Sequence, residues 1–252
     1  MSWQNCAARV EAGDPTRFAA TMIAPVAARE KLFPLYAFNL ELAEAAWASS
    51  EPMICLMRLQ FWSDALDAIE GGRMVPAHEV LQSLAPLLVG RDLAPLRAMI
   101  AARQDEVNRE PCETLDALID HLDAESGGLI DVGLAFLGGV PTGGTRAVAR
   151  ASALANWLAA WPALERRGIL PLPDGSDGGI AQAAETGLSL LNSADLSDVP
   201  AMARPALWPA FAARHILTIA ARTPDRVRAG QLQPPPLRRA LILAGTRATG
   251  RV

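Results

Sequence analysis

Apolar residues recur along this chain at intervals of three and four, the period of an amphipathic helix, and no stretch alternates in the way of a strand. The clearest stripe is Cys55, Leu59, Trp62, Leu66 and Ile69, in a helix opened by Glu51-Pro52 near residue 52 and stopped by Gly71-Gly72 after Glu70. Proline suits a first helical turn because the N–H it lacks would have no intrahelical partner. Asp14-Pro15 repeats that start signal earlier, with Asp14 as N-cap. Residues 27–48 read as helix, with Pro34 near one end of the strongest part. Residues 77–89 carry Val80, Leu81, Leu84, Leu87 and Leu88, and residues 93–108 carry Leu96, Met99, Ile100, Arg103 and Val107 on one face. Residues 114–125 and 128–137 read as two helices parted by Gly127-Gly128, and the strongly apolar stretch 145–161 is predicted to be central. After Gly168 the chain turns irregular and glycine-rich to Gly179. Helices over 180–191, 208–222 and 236–246 follow, the last behind the stiff Pro234-Pro235-Pro236. The pattern predicts an all-α chain forming a single domain over residues 1–252.

Composition sharpens this. Alanine, leucine and arginine dominate while aromatics make up 5%, which favours helix over sheet. With 252 residues and 51% hydrophobic content, the chain can bury a large core without disulfides or metal. The net charge of −4 is modest and shows no strong block of one sign in this reading. Nothing resembles a basic nucleic-acid-binding stripe, so nucleic acid is excluded as a partner. Cys6, Cys55 and Cys112 are odd in number and widely spaced, which fits reduced thiols and no metal motif. The first ten residues lack a leader pattern, and no run reaches the roughly 18 apolar residues of a spanning helix. The expectation is a soluble, cytoplasmic protein with no transmembrane segment, peripheral contact with the inner membrane being left open.

Several groups could carry chemistry. Glu41 and Glu44 lie three apart on one helix, but two carboxylates make a poor Mg²⁺ cage, and a solvated or salt-bridged pair is the favoured reading. Asp116, Asp120 and Asp123 share a helix face bounded by Glu113 and Glu125, which reads as an exposed acidic face. Arg58 and Asp64 read equally as groups at a cavity mouth and as a structural ion pair. His78, His121 and His215 are isolated and predicted to be surface or cap residues. Ser126-Gly127-Gly128 and Gly138-Gly139 follow no strand, so helix termination explains them better than phosphate binding. Cys55 reads as a small buried hydrophobe. Trp62, Trp157 and Trp161 could wall an apolar pocket or simply pack a core.

Five segments, in register, resemble squalene and phytoene synthases. They are Asp14–Phe18 with Ala24-Pro25 and Arg29; Leu35–Ala43; Glu51-Pro52 with Arg58–Leu66; Gly127-Gly128-Leu129; and Leu154–Leu158 followed by Arg166-Arg167-Gly168 and Leu172-Pro173. The resemblance spans about residues 14 to 175. It implies a helical bundle around a central cavity and an enzyme that joins two prenyl diphosphates head to head. In such enzymes two aspartate-rich clusters hold Mg²⁺ against the diphosphates, hard oxygen ligands suiting a hard cation. Aligned from Tyr36, the aspartates of "YAFCRWADDIVDD" fall on Ala43, Glu44, Trp47 and Ala48, and only Glu44 keeps a carboxylate. Aligned from Asn156, the second cluster falls on Ala160 and Leu164, with Ala159 in place of an arginine and Pro171 in place of a tyrosine.

Asn39, Glu41, Arg58–Leu66, Trp161-Pro162 and Arg167-Gly168 more closely resemble an aspartate-poor branch of the same superfamily, one that includes the mitochondrial assembly factor for respiratory complex I. Ala159 and Leu170-Pro171 depart from that branch too. The resemblance therefore implies no catalytic residues, no bound metal and no cofactor. It implies an accessory or assembly factor for a respiratory membrane complex, with an isoprenoid, quinone or lipid tail as candidate ligand and a respiratory-complex protein as candidate partner. Tyr36, Glu41, Glu44, Arg58, Gln60, Trp62, Asn156 and Ala160 are the candidate cavity-lining residues, and Ala43, Ala160 and Leu164 predict an apolar wall. The competing readings are a divergent prenyltransferase using Glu44 and other carboxylates, and a lipid-binding module of isoprenoid metabolism with no protein partner.

Overall fold

The computed structural model describes residues 3–107 and 111–250, which form thirteen α-helices and two short 3₁₀ segments with no strand among them. The helices are α1 (Trp3–Gly13), α2 (Pro15–Met22), α3 (Val26–Ala45), α4 (Pro52–Glu70), α5 (Glu79–Leu88), α6 (Ala94–Val107) and α7 (Leu115–Phe136). They continue as α8 (Gly143–Ala159), α9 (Trp161–Arg166), α10 (Asp177–Ser193), α11 (Ala213–Arg222), α12 (Asp225–Arg228) and α13 (Pro236–Thr249). Asn108, the expected end of α6, lies outside the described residues.

Most boundaries follow local chemistry. Asp14 caps α2, its carboxylate accepting from the Arg17 amide at 2.9 Å. Thr142 and Thr145 satisfy each other's backbone N–H groups at the start of α8. The stripe expected on α4 is buried in full, from Cys55 to Ile69. The core centres on α3, which packs against α1, α4, α5 and α7. Covered from several sides, it buries an unbroken run from Leu32 to Phe38, and each large apolar side chain there contributes roughly 1.5–3 kcal/mol. Pro34 lies inside this helix. On the other side α8 packs against α7, α10 and α11.

Four expectations change. The expected pair over 114–137 is one helix, Leu115–Phe136, so Gly127-Gly128 is no stop. A Cβ on Gly128 would lie 2.6 Å from the Pro95 carbonyl oxygen, and one on Gly127 would lie 2.2 Å from Arg146 Nη1. The two glycines instead let α6 and α8 approach α7 closely, which outweighs their poor helix propensity. Gly138, in contrast, does end α7, with φ of +80°. The second change is α1, an element the periodic pattern did not mark. Its buried face is only Cys6, Ala7 and Val10, and Trp3 stacks on Phe33 of α3 at 6.1 Å. The third is the expected 145–161 helix, which breaks at Ala160, where α9 begins with Pro162 in its first turn. The fourth is the glycine-rich stretch. Its end already belongs to α10, capped by Ser176.

The glycine argument is testable. Gly128→Ala should lower stability by about 1–3 kcal/mol, because α6 and α7 must separate. Gly245→Ala, in open space within α13, should raise stability by up to about 1 kcal/mol. Urea unfolding of both variants measures the contrast, and a neutral Gly128→Ala would show the helix contact to be soft.

Candidate functional site

Where α3, α6, α7 and α8 meet, a groove of about 490 Å³ opens. The last turns of α3 bring Asn39, Leu40, Ala43 and Glu44 to it, and Trp47 follows just beyond the helix. Helix α8 contributes Asn156 and Trp157, Ala160 sits at the break, and Leu164 and Arg167 come from α9 and its end. Ala43, Trp47, Ala160 and Leu164, which stand where the resembled enzymes carry aspartates, therefore converge on one groove.

The wall expected to be apolar has a charged floor. Arg103 Nη1 donates to Glu106 Oε2 at 2.6 Å and lies 3.1 Å from Glu125 Oε1. His121 Nε2 approaches that same oxygen to 3.0 Å. Trp47 Nε1 donates to the other oxygen of Glu106 at 3.0 Å. The side chains of Arg103, Glu106 and Glu125 are 14%, 10% and 6% exposed, so this cluster is largely out of water. The ion-pair distances are short, yet Glu125 Oε1 receives no well-directed hydrogen bond, and Arg103 Nε donates none. Burial pushes the Glu106 carboxyl above its ordinary range, and the neighbouring Glu125 adds to the rise against the opposing pull of Arg103. Burial works on Glu125 too, but Arg103 and His121 outweigh it and hold that carboxyl below its ordinary range. The contact with Glu125 raises His121 despite its own desolvation.

A second cavity of about 310 Å³ adjoins the groove and shares Trp47, Glu106 and Trp157 with it. The partition is braced: Trp157 Nε1 donates to the Pro171 carbonyl at 2.6 Å, and the Arg167 guanidinium lies 4.9 Å over the Trp47 ring.

Of the candidate residues, Glu44, Asn156 and Ala160 line the groove. Glu41 and Glu44 both pair with Arg9 of α1, Glu41 at 3.1 Å, so they form a salt-bridged pair. Glu41 lines a different, smaller depression of about 330 Å³ beside His78. Tyr36 is buried in the α3 core beneath Arg17, whose guanidinium lies 5.1 Å from the ring, and burial raises its phenol. Trp62 is buried edge-on to Phe38, Phe61 and His78. Arg58 and Gln60 are exposed, because α4 turns its buried stripe towards α3, α5 and α6. Asp64 accepts from Gln60 at 2.7 Å, not from Arg58.

Other expectations need correcting on the opposite flank. Asp116 and Asp120 are exposed, but Asp123 is 12% exposed and held by Arg146 and Arg150 of α8 at 3.0 and 3.1 Å. The acidic face is therefore partly an ion-pair seam between α7 and α8. Glu125, expected to bound that face, points inward to Arg103. His121 is neither a cap nor a free surface residue, whereas His78 does cap α5, its Nδ1 accepting from the Val80 amide at 3.3 Å. The sequence pattern does not bring the floor residues Arg103, Glu106, His121 and Glu125 together. The available signal was Arg103 itself, a charge on the apolar face of α6.

The Mg²⁺ that the resembled synthases hold does not fit the residues present. Ala43, Trp47, Ala160 and Leu164 offer no ligand oxygen, Glu44 is engaged by Arg9, and Glu106 and Glu125 are engaged by Arg103. The comparisons agree with the architecture. The model of the squalene/phytoene synthase family matches residues 10–176, about two thirds of the chain. The chain belongs to the squalene/phytoene synthase family. A crystal structure of a dehydrosqualene synthase in complex with ligand superposes with a TM-score of 0.68 at 14% identity, covering 98% of this chain and 95% of that one. Squalene synthase HpnC from Alicyclobacillus acidocaldarius superposes with a TM-score of 0.57 at 15% identity, covering 98% and 94%. At these identities the likeness is one of fold. No curated protein matches the sequence.

Two measurements probe the floor of this squalene/phytoene synthase family member. Arg103→Met should destabilise by about 3–5 kcal/mol, since it strands two buried carboxylates, and adding Glu106→Gln with Glu125→Gln should recover much of that loss. Failure to recover would assign the effect to packing. His121 has a raised folded-state pKa, so its stabilisation is complete below the ordinary imidazole value of about 6.5 and is lost as pH rises through the folded value. The urea midpoint of the wild type should therefore fall more steeply between about pH 6 and 8 than that of His121→Gln. Parallel profiles would contradict the pairing.

Proposed function

We propose that this family member binds a prenyl-type molecule and does not condense prenyl diphosphates. The observation that carries the reading is the convergence of Ala43, Trp47, Ala160 and Leu164 on one groove whose carboxylates are already neutralised by arginine. A Mg²⁺-diphosphate cluster has high charge density, and seating it there without anionic ligands would cost many kcal/mol. A single apolar tail suits the same wall. A ten-carbon stretch buried against it contributes roughly 8 kcal/mol before ordering costs, at about 0.8 kcal/mol per CH₂. The groove's volume lies within the ~300–1,000 Å³ of small-molecule sites. At the floor, the Glu106–Arg103–Glu125 cluster gives the groove a polar end, which suits a carbonyl- or hydroxyl-bearing head, as in a quinone or a prenyl alcohol. Asn39, Glu41, Trp161-Pro162 and Arg167-Gly168 support placement in the aspartate-poor branch, and on that reading the protein serves as an accessory or assembly factor for a respiratory membrane complex.

Mass spectrometry of the purified protein under native and denaturing conditions should find a co-purifying isoprenoid, quinone or lipid, and added prenyl alcohols should raise its melting temperature. Ala160→Trp should abolish both effects while leaving helical content intact. Incubation with farnesyl diphosphate and Mg²⁺ should give no condensed product. Robust turnover lost on Glu44→Gln would instead establish a divergent prenyltransferase. A groove that retains nothing and responds to no prenyl alcohol would leave a protein–protein role alone.

A further inference from the structure

The modest net charge conceals a segregation along the chain. Residues 204–252 hold nine arginines and one aspartate, a net +8, whereas the first 203 residues carry −12. In the rest of the fold many arginines face carboxylates, as Arg97 does Asp67 and Glu70. Within 204–250, among the described residues, the ion pairs are those of Arg228 with Asp177 and Asp225. Arg214, Arg222, Arg238, Arg239 and Arg247 have no carboxylate at ion-pair distance there.

Three of these arginines converge. A groove of about 490 Å³ between α11 and α13 is lined by Arg214, Arg222, Arg238 and His215, over a floor that includes Phe211 and Ile242. Arg214 donates to the neutral Asn192 side chain at 2.8 Å, which leaves its charge uncompensated. Burial, with Arg238 and Arg226 adding to it, pushes His215 below its ordinary value. The groove is thus positive with an apolar base.

Helix α13 adds a second, independent feature. It buries Leu243 and Thr246 against the body, and its opposite side is a stripe of Leu237, Leu241, Ala244 and Ala248 at helical spacing. All four are exposed, Leu237 by 76% and Leu241 by 66%. Arg238 and Arg247 flank this stripe on its two sides. An apolar face turned to solvent and bordered by arginine is the pattern of a helix lying in a membrane interface.

We propose that this end of the molecule docks on an anionic phospholipid bilayer. The α13 stripe sits at the boundary of headgroups and acyl chains, and the α11–α13 groove takes a lipid phosphate. Charge complementarity selects this occupant. A second copy would bring a +8 surface against another +8 surface, and a nucleic acid has no use for the two exposed leucines. No described helix is long and apolar enough to cross a membrane, so the contact is peripheral. The inference is independent of what the α3–α8 groove holds.

Flotation of the full-length protein with vesicles tests it. The protein should float with phosphatidylcholine vesicles containing phosphatidylglycerol, not with phosphatidylcholine alone, and raised salt should release it. Arg214→Gln with Arg238→Gln should lower partitioning about 25-fold, at roughly fivefold per charge near the surface. Leu237→Asp with Leu241→Asp should abolish flotation. These leucines are exposed, so an unchanged circular dichroism spectrum is expected for that variant. Equal binding to neutral and anionic vesicles, or no binding to either, would overturn the proposal. So would binding insensitive to the leucine pair, tighter binding to duplex DNA that ignores it, or a dimer that the leucine changes dissolve.

Discussion

A guanidinium withdrawn from water must find its counter-charges within a few ångströms, and the Arg103 site is built around that requirement. Glu106 comes from the same helix one turn on, Glu125 from α7, and the Trp47 indole, from the end of α3, fixes the far oxygen of Glu106. Three elements must therefore meet at one depth. Their approach is possible because Gly128 lets α7 lie against the Pro95 carbonyl of α6, with no Cβ between them. Close packing and charge pairing are thus one constraint. A residue larger than glycine at 128 would move Glu125 relative to Arg103.

The same geometry explains how a synthase-like scaffold persists with its aspartate positions replaced. In the resembled enzymes those positions serve metal, which demands anionic oxygen on facing helices. Here alanine, leucine and tryptophan occupy them, and the carboxylates that remain near the groove are each committed to an arginine. The fold tolerates the exchange because the helices are held by Leu32–Phe38 in α3 and by the α7 seams, not by the groove wall. The groove stays open, with Ala43, Trp47, Ala160 and Leu164 on its wall and the Arg103 cluster at its floor.

Charge is organised at two scales. Within the body, acids and arginines pair across helix contacts, as in the seam of Asp120, Asp123 and Asp131 with Arg146 and Arg150. At the C-terminal end Arg214, Arg222, Arg238, Arg239 and Arg247 stand without such partners among the described residues, beside an outward apolar stripe. The first arrangement binds α7 to α8, and the second leaves a surface with both electrostatic and apolar affinity unspent.

Local chemistry made much of the architecture legible in the sequence. The cap at Asp14, the start at Pro52 and the stop at Gly71 define helices through groups within one turn of each other, and they stand where the pattern places them. Convergence of the aspartate-replaced positions could also be anticipated, because helical spacing and motif register already put them on facing helices. Helix α1 stayed hidden because its buried face is only three residues wide, and it gains its meaning by packing on α3 and lending Arg9 to Glu41 and Glu44. Gly127-Gly128 looked like a stop because glycine's local preference is to end helices, whereas the contacts of α6 and α8 require its missing side chain. Glu125 and His121, four apart on α7, pair with each other, yet they looked exposed because the Arg103 that draws Glu125 inward comes from another helix. Hydrogen bonds between residues four apart belong to the chain itself. Arg103 finds Glu106 within its own helix, but its second counter-charge, Glu125, is settled only when helices distant in sequence are brought to the same place.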